Sequence, residues 1–292
     1  MDVHFCGVRG STPAPGLPFV QYGGHTSSVA LAHDGGVPHL VLDAGTGLRR
    51  VTDLLHHRPY DGTILLGHLH WDHVHGLPFF RAGGMKGARV SVVLPAPDGD
   101  PVGTLARGVS PPHFPIEPEQ LGPGWSFTAM QAGWHDYEGF DVLCREIPHK
   151  GGQTFGFRVT DGSTTLAYFS DHAPLGLGDG ADGLGELHDA ALELADGADL
   201  LIHDAQFRAA EFPQVAYLGH AAVEYAVSLA KAAHVGQLAL FHHSPDRTDA
   251  EIDVIVRDAR GLLPSVFAAA EGMSLHLRAS SLTASQVPLD QH

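Results

Sequence analysis

The chain has little cysteine, little basic charge and no long apolar run, and each shortage removes a class of protein. Cys6 and Cys144 are the only cysteines in 292 residues, too few for a disulfide framework and without metal-type spacing. Both sit in apolar, strand-like segments, so buried thiols are expected. Lysine and arginine total 17 against 33 aspartates and glutamates, a formal charge of -16 with histidine neutral. Long-range attraction to a nucleic-acid backbone or an anionic membrane is therefore not supported. No long nucleic acid and no membrane are expected as partners, whereas a small anionic substrate requires only a locally positive site. No apolar run approaches the ~20 residues of a membrane span. The opening Met1-Asp2-Val3-His4-Phe5 lacks the basic and apolar regions of a secretory leader, and a cytoplasmic protein is expected. No unit repeats with a period of roughly 20 to 50 residues, which excludes solenoids and propellers.

What the chain has is histidine, 22 in all, most of it more than any site needs. One stretch stands apart: His68-Leu69-His70-Trp71-Asp72-His73 packs four metal ligands into six positions after the apolar run Thr63-Ile64-Leu65-Leu66. Imidazole with carboxylate, and no thiolate, suits zinc first, with manganese or iron as alternatives. An extended segment has a two-residue period and would place His68, His70 and Asp72 on one side, so the motif belongs at a strand end. His73 would approach from the next turn.

With 43% hydrophobic residues the chain is long enough for a single large domain, expected over 1–292 with a Pro/Gly-rich loop at 94–124 inside it. Short apolar runs at Val3–Val8, Ser28–Ala32, Leu40–Leu42, Thr63–Leu66 and Val90–Leu94 read as strands, as do Val142–Ile147, Phe155–Val159, Thr165–Phe169, Leu200–Ile202 and Gln237–Phe241. Helical stripes occupy Leu48–Leu55, Leu187–Leu194, Ala221–Ala233 and Ala250–Leu262. Two strand-rich halves, each with helices, give a layered α/β class. His149, Asp171 and His242 each follow one of these strands, the placement that loops converging over a sheet supply. With the motif they make five histidines and two aspartates, more than one four-coordinate ion with an open position uses, so two divalent ions are expected. Two such ions outweigh two aspartates and a bridging hydroxide by about one positive charge, which favours a phosphate oxyanion over a neutral acyl group.

These residues resemble the metallo-β-lactamase superfamily. His68-Leu69-His70-Trp71-Asp72-His73 matches its HxHxDH signature, and Gly7 to Pro13, Tyr22-Gly23-Gly24, Leu42 to Gly47, His149 to Gly152, Ser170-Asp171 and Leu240 to His243 extend the match. Within the superfamily the chain resembles the phosphodiesterase-like branch, which includes tRNA 3′-processing endonucleases and cyclic-nucleotide or phosphonate-pathway phosphodiesterases. The resemblance implies a four-layer αββα sandwich of two mixed sheets flanked by helices. It implies that His68, His70 and His149 hold one metal, that Asp72, His73 and His242 hold the other, and that Asp171 bridges both. A hydroxide between the ions would attack phosphorus, with Asp72 in the catalytic centre and Asp43 fixing the ligand loop. His220, in Gly219-His220-Ala221-Ala222, is the expected acid for the leaving alkoxide, although two alanines replace the usual Ser/Thr pair. Arg9, Ser11, Lys150 and His243 are expected to meet the substrate, while His172 and His203 are expected to pack or to support. A homodimer is implied by the same resemblance.

The expected activity is thus a dinuclear metal-dependent phosphodiesterase acting on small nucleotides or other compact phosphodiesters. The alternatives are a lactone or thioester hydrolase with the same ions, and a metal-stabilised regulatory protein without turnover.

Overall fold

A computed structural model describes residues 1–278, and the last fourteen positions of the expected domain, 279–292, lie outside the described residues. Fourteen strands form two seven-stranded sheets. The strands are β1 (Asp2–Gly7), β2 (Ser28–Ala32), β3 (Leu40–Leu42), β4 (Asp61–Leu65), β5 (Arg89–Leu94), β6 (Trp125–Ala129) and β7 (Gly133–Tyr137), followed by β8 (Phe140–Glu146), β9 (Phe155–Thr160), β10 (Thr165–Phe169), β11 (Leu200–Asp204), β12 (Gln237–Phe241), β13 (Val266–Ala268) and β14 (Ser274–His276). The first sheet runs β14-β1-β2-β3-β4-β5-β6 and the second β13-β12-β11-β10-β9-β8-β7.

Each sheet is antiparallel on one side and parallel on the other. In the first sheet β14, β1, β2 and β3 pair antiparallel and β3 to β6 parallel. In the second, β7 to β10 pair antiparallel and β10 to β13 parallel. As a consequence β1, β3 and β4 share one direction in the first sheet and β8, β10, β11 and β12 share one in the second. The loops that follow each set leave its sheet along a single edge.

The central strands are buried on both faces, so their side chains divide by parity. Leu166, Tyr168, Leu200, Ile202, Ala239 and Phe241 point toward the first sheet and pack with Val3, Phe5, Leu31, Leu42 and Leu65. Their neighbours Ala167, Phe169, Leu201, Leu238 and Leu240 pack outward against α4 (Asp189–Ala195), α6 (Val223–Ala232) and α7 (Asp249–Leu262). The outer face of the first sheet is covered by α1 (Val51–Leu54), α2 (Trp71–Val74) and α3 (Pro101–Ala106) with their flanking turns. A further short helix, α5 (Phe212–Val215), precedes the turn that leads to α6. Helix α7 shows why such segments form: Ile252, Ile255, Val256 and Ala259 bury one stripe. Its start is fixed by a capping box in which Glu251 N–H donates to Thr248 Oγ1 and Thr248 N–H donates to Glu251 Oε2.

Three features differ from the sequence expectation. The segment 94–124 is not a plain loop, since it contains α3, capped by Asp100, and a 3-10 turn at Pro118–Gln120. Strands β6 and β7 escape a hydrophobic reading because their residues alternate between half-buried and exposed, with polar side chains at many positions. Strands β13 and β14 are three residues long at sheet edges and leave almost no periodic signal. Cys6 and Cys144 are buried and unpaired, as expected.

Candidate metal centre

Every expected ligand follows the end of a strand, on a loop or, for Asp72 and His73, on the short helix after it. His68 and His70 lie in the extended stretch after β4, but Asp72 and His73 belong to α2. The two-residue period therefore holds for the two histidines and not for Asp72, because the chain turns helical at Trp71. A single helical turn presents adjacent residues about 100° apart, and both Asp72 and His73 are buried in the centre.

Three overlapping donor groups result, two of which hold the seven expected ligands, while the third joins Asp171 and His242 to His220. Of those two, one contains His68, His70, His149 and Asp171; the other contains Asp72, His73 and His242. In the first group His149 Nε2 lies 3.2 Å from His70 Nδ1 and 3.3 Å from Asp171 Oδ2, and His68 Nε2 lies 3.5 Å from the same oxygen. In the second, His73 Nε2 and His242 Nε2 each lie 3.1 Å from Asp72 Oδ2 and 3.0 Å from Asp171 Oδ1. The two oxygens of Asp171 thus face different groups. Donor atoms on a tetrahedron with bonds of about 2.0–2.1 Å sit roughly 3.3 Å apart, which is the spacing found here.

The hydrogen bonds fix which nitrogens are free. His73 Nδ1–H donates to Asp43 Oδ2 at 2.8 Å, and His149 Nδ1–H donates to the Gly219 carbonyl at 2.7 Å, so each ring turns its Nε2 lone pair inward. Asp43 is itself held by the Gly67 N–H and the Tyr168 hydroxyl, and it adopts a left-handed φ of 59°. Ser11 and His242 share that strained region, with φ of 62° and 56°. Two glycines make room: a Cβ at Gly10 would lie 2.4 Å from His242 Cε1, and one at Gly151 would lie 2.6 Å from His70 Nε2.

Electrostatics and burial agree that a cation belongs here. Both nitrogens of His68, His73 Nε2 and Asp171 Oδ1 are buried without a hydrogen-bond partner, a costly arrangement unless an ion satisfies them. Burial works against charge at Asp72 and Asp171, yet the surrounding histidines hold both carboxyls well below their ordinary range. Burial likewise opposes a charged His73, but Asp72, Asp171 and Asp43 outweigh it and raise its pKa well above that of a free imidazole. The donor set of imidazoles and carboxylates suits a divalent metal.

His220 lies against the centre, its Nδ1 3.0 Å from Asp204 Oδ2 and 3.7 Å from Asp171 Oδ2. Burial alone would lower its pKa, but Asp204 raises it to about 9. Asp204 is fixed in turn by the backbone N–H groups of His172, Gln206 and Ala221. The sequence reading missed Asp204, although it ends β11 just as His242 follows β12 and Asp171 follows β10. His172 and His203 stand behind this carboxylate, with 3.0 Å between His172 Nδ1 and His203 Nε2, in the supporting place expected of them.

Ser11 and Lys150 border the open side. Ser11 N–H donates to Asp72 Oδ2 at 2.7 Å, and Ser11 lines a cleft of about 400 Å³ with Trp71, Asp72, Asp171 and His220. Lys150 borders the flanking cavities and donates to the Tyr217 carbonyl.

Arg9 and His243, expected to meet the substrate, are buried and line neither the cleft nor its flanking cavities. Arg9 is fully buried, with Nε donating to Gly23 O, Nη1 donating to Ser244 O and Arg247 O, and Nη2 3.5 Å from Asp249. Its charge ties the N-terminal loop to the start of α7, and its complete burial keeps it from a ligand. His243 Nε2–H donates to Ala269 O at 3.0 Å, and burial pushes its pKa down to about 3, so it is a neutral packing residue.

Two mixed sheets between helical layers, with histidines and aspartates converging on one edge, define a metallo-β-lactamase fold. Residues 39–243, more than two thirds of the chain, match the model of the beta-lactamase superfamily domain, and the chain belongs to that family. It is 29% identical to ribonuclease Z of Bradyrhizobium sp. (strain ORS 278) over 316 residues, covering 90% of this chain and 95% of that protein. It is 35% identical to ribonuclease BN of Escherichia coli O1:K1 / APEC over 150 residues, covering 49% of this chain but only 40% of that protein. Among solved structures, the metallo-beta-lactamase fold protein YhfI from Bacillus subtilis superposes with a TM-score of 0.69 at 19% identity, over 94% of this chain and 99% of that one, which shows the shared fold. The chain is accordingly a metal-dependent hydrolase. Among the described residues no helix is long and apolar enough to cross a membrane.

Proposed function

We propose that this hydrolase is a two-metal phosphodiesterase acting on compact phosphodiesters. The observation that carries the reading is the pair of donor groups joined by Asp171, with the His220–Asp204 pair set against the same carboxylate. His68, His70 and His149 would hold one ion and Asp72, His73 and His242 the other, with one Asp171 oxygen toward each. Zinc is assigned first because an imidazole-rich, thiolate-free set suits it, and manganese and iron are served by the same donors. When bound, such ions polarise a phosphoryl oxygen and lower the pKa of a water.

The chain supplies the rest of the chemistry. His73 and His149 present lone pairs because Asp43 and the Gly219 carbonyl occupy their other nitrogens. The Ser11 N–H fixes the Asp72 carboxylate. Asp204, 3.0 Å from His220 Nδ1, favours the protonated imidazole. With Nδ1 engaged by Asp204, Nε2 is the atom that gives its proton to the departing alkoxide. Lys150 offers a positive charge to a phosphate oxygen.

Compact substrates are favoured by the chain's charge of -16, which gives little long-range attraction to a polynucleotide. The likeness to ribonuclease Z over most of its length favours a second reading, an RNA phosphodiester. The test is bound metal per chain together with hydrolysis of bis(p-nitrophenyl) phosphate, a homoserine lactone, an acyl thioester and a 3′-extended tRNA. Diester turnover far above acyl turnover is expected. Lactone or thioester turnover far above it overturns the proposal, and cleavage of tRNA well ahead of small diesters selects the second reading.

A further inference from the structure

The 94–124 segment builds a cavity of about 350 Å³ that opens beside His68 and His70. Its walls come from Pro95, Pro97, Leu105 and Val109 of that segment, facing Trp71 and the Gly151-Gly152 backbone. Such a volume is near the lower end of small-molecule sites, which run from about 300 to 1,000 Å³, so it admits a compact group and not a polymer. Trp71 is 69% exposed, although its motif neighbours Asp72 and His73 are buried. Its ring lies beside that of His75, with centroids 5.6 Å apart and planes 18° apart. An exposed indole on a one-turn helix at the mouth of a cavity offers a face for stacking rather than a core contact.

The cavity adjoins the candidate metal centre. Leu69, His70 and Trp71 line both this cavity and the cleft bounded by Asp72, Asp171 and His220. A base seated against Trp71 would leave its phosphate, one sugar away, on the side of the cleft where Asp72, Asp171 and His220 lie. Two cationic side chains border the cavity: Lys150, and Arg107, which is paired with Asp98 at 3.2 Å on its exposed side. In a chain of net charge -16, apolar walls, one aromatic platform and a cationic rim are the complement of a planar base that carries an anion.

We propose that this cavity is the subsite for the nucleobase of a mononucleotide-type phosphodiester, with Trp71 as its stacking platform and the 94–124 segment as its wall. This rests on the phosphodiesterase reading above. It assigns specificity to residues outside the ligand set and gives the 94–124 segment a function.

The test compares thymidine 5′-(p-nitrophenyl) phosphate with methyl p-nitrophenyl phosphate on the metal-loaded protein, and measures binding of thymidine 5′-monophosphate and methyl phosphate by calorimetry. The nucleoside compound is expected to win in both kcat/KM and affinity by on the order of tenfold or more, the worth of one base–aromatic stack. Trp71→Ala and Val109→Trp should collapse that preference toward unity, through removal of the platform and filling of the cavity respectively. Trp71→Phe, which retains a ring, should keep most of it, and metal content checks that each variant has folded. Equal treatment of the two diesters and the two monophosphates by the wild-type protein overturns the subsite while leaving the phosphodiesterase reading intact. A preference that survives both Trp71→Ala and Val109→Trp also overturns it. Tight, Trp71-dependent nucleotide binding without hydrolysis of either diester overturns the phosphodiesterase reading and supports the subsite.

Discussion

The two sheets contribute to the centre in opposite ways. The first supplies four donors from six consecutive residues and anchors them through Asp43, one strand away. The second supplies His149, Asp171 and His242 from the ends of three strands, and adds Asp204 and His220 from a fourth strand end and the approach to α6. A contiguous motif has its relative geometry set by local backbone. A dispersed set depends on strand register and on the packing of one sheet against the other. Asp171 is where the two contributions meet, since each of its oxygens faces a donor group that contains residues of both sheets.

The strongest way to break this arrangement is to remove the shared residue. Asp171→Ala is expected to lower metal content in both groups and to reduce hydrolysis by roughly a thousandfold or more, whereas His68→Ala should deplete chiefly one group. Metal analysis alongside kinetics tests this, and two variants with identical stoichiometry would remove the special standing of Asp171.

Next in size is the proposed acid, His220, supplied wholly by the second half. For His220→Ala a loss of about 10²–10⁴-fold in kcat is expected with metal retained. Asp204 raises the His220 pKa to about 9, so turnover should fall as pH rises through that value and the proton is lost. In Asp204→Asn the alkaline limb should move to lower pH, because the main charge favouring the imidazolium has gone. A pH profile of kcat for wild type and variant decides the matter, and an unmoved limb would return His220 to a structural role.

Smaller again is the anchor in the first half. Asp43→Ala should weaken metal affinity by about 10–100-fold, the usual size for a partner of a ligating histidine. Competition with a chelator measures it. The smallest effect on catalysis belongs to Arg9→Ala, which should cost roughly 2–3 kcal/mol of stability through lost charged hydrogen bonds while leaving KM unchanged. Denaturant melts and steady-state kinetics separate the two, and a large KM effect would restore Arg9 to the substrate site.

Legibility in the sequence follows the same division. The HxHxDH stretch, the strands at Ser28–Ala32, Leu40–Leu42, Thr165–Phe169 and Gln237–Phe241, and helix α7 are plain because period and composition act over a few neighbours. Strands β6, β7, β13 and β14 are not, because edge strands with exposed faces need no apolar pattern. Arg9 reads as a substrate residue because its loop should approach the site and His243 because it follows His242, and only the fold shows both buried and bonded to Gly23, Ser244, Arg247 and Ala269. Asp204 was overlooked for the reverse reason: a lone aspartate after an apolar strand has no distinguishing spacing.

By itself, then, the sequence determined the donor chemistry and the layered α/β class, since both depend on residue type and short-range order. The tertiary structure decided which nitrogens face inward, that Asp204 lies 3.0 Å from His220, and that the 94–124 segment walls a cavity beside Trp71. Those are properties of residues far apart in the chain, and only the register and packing of two sheets set their distances.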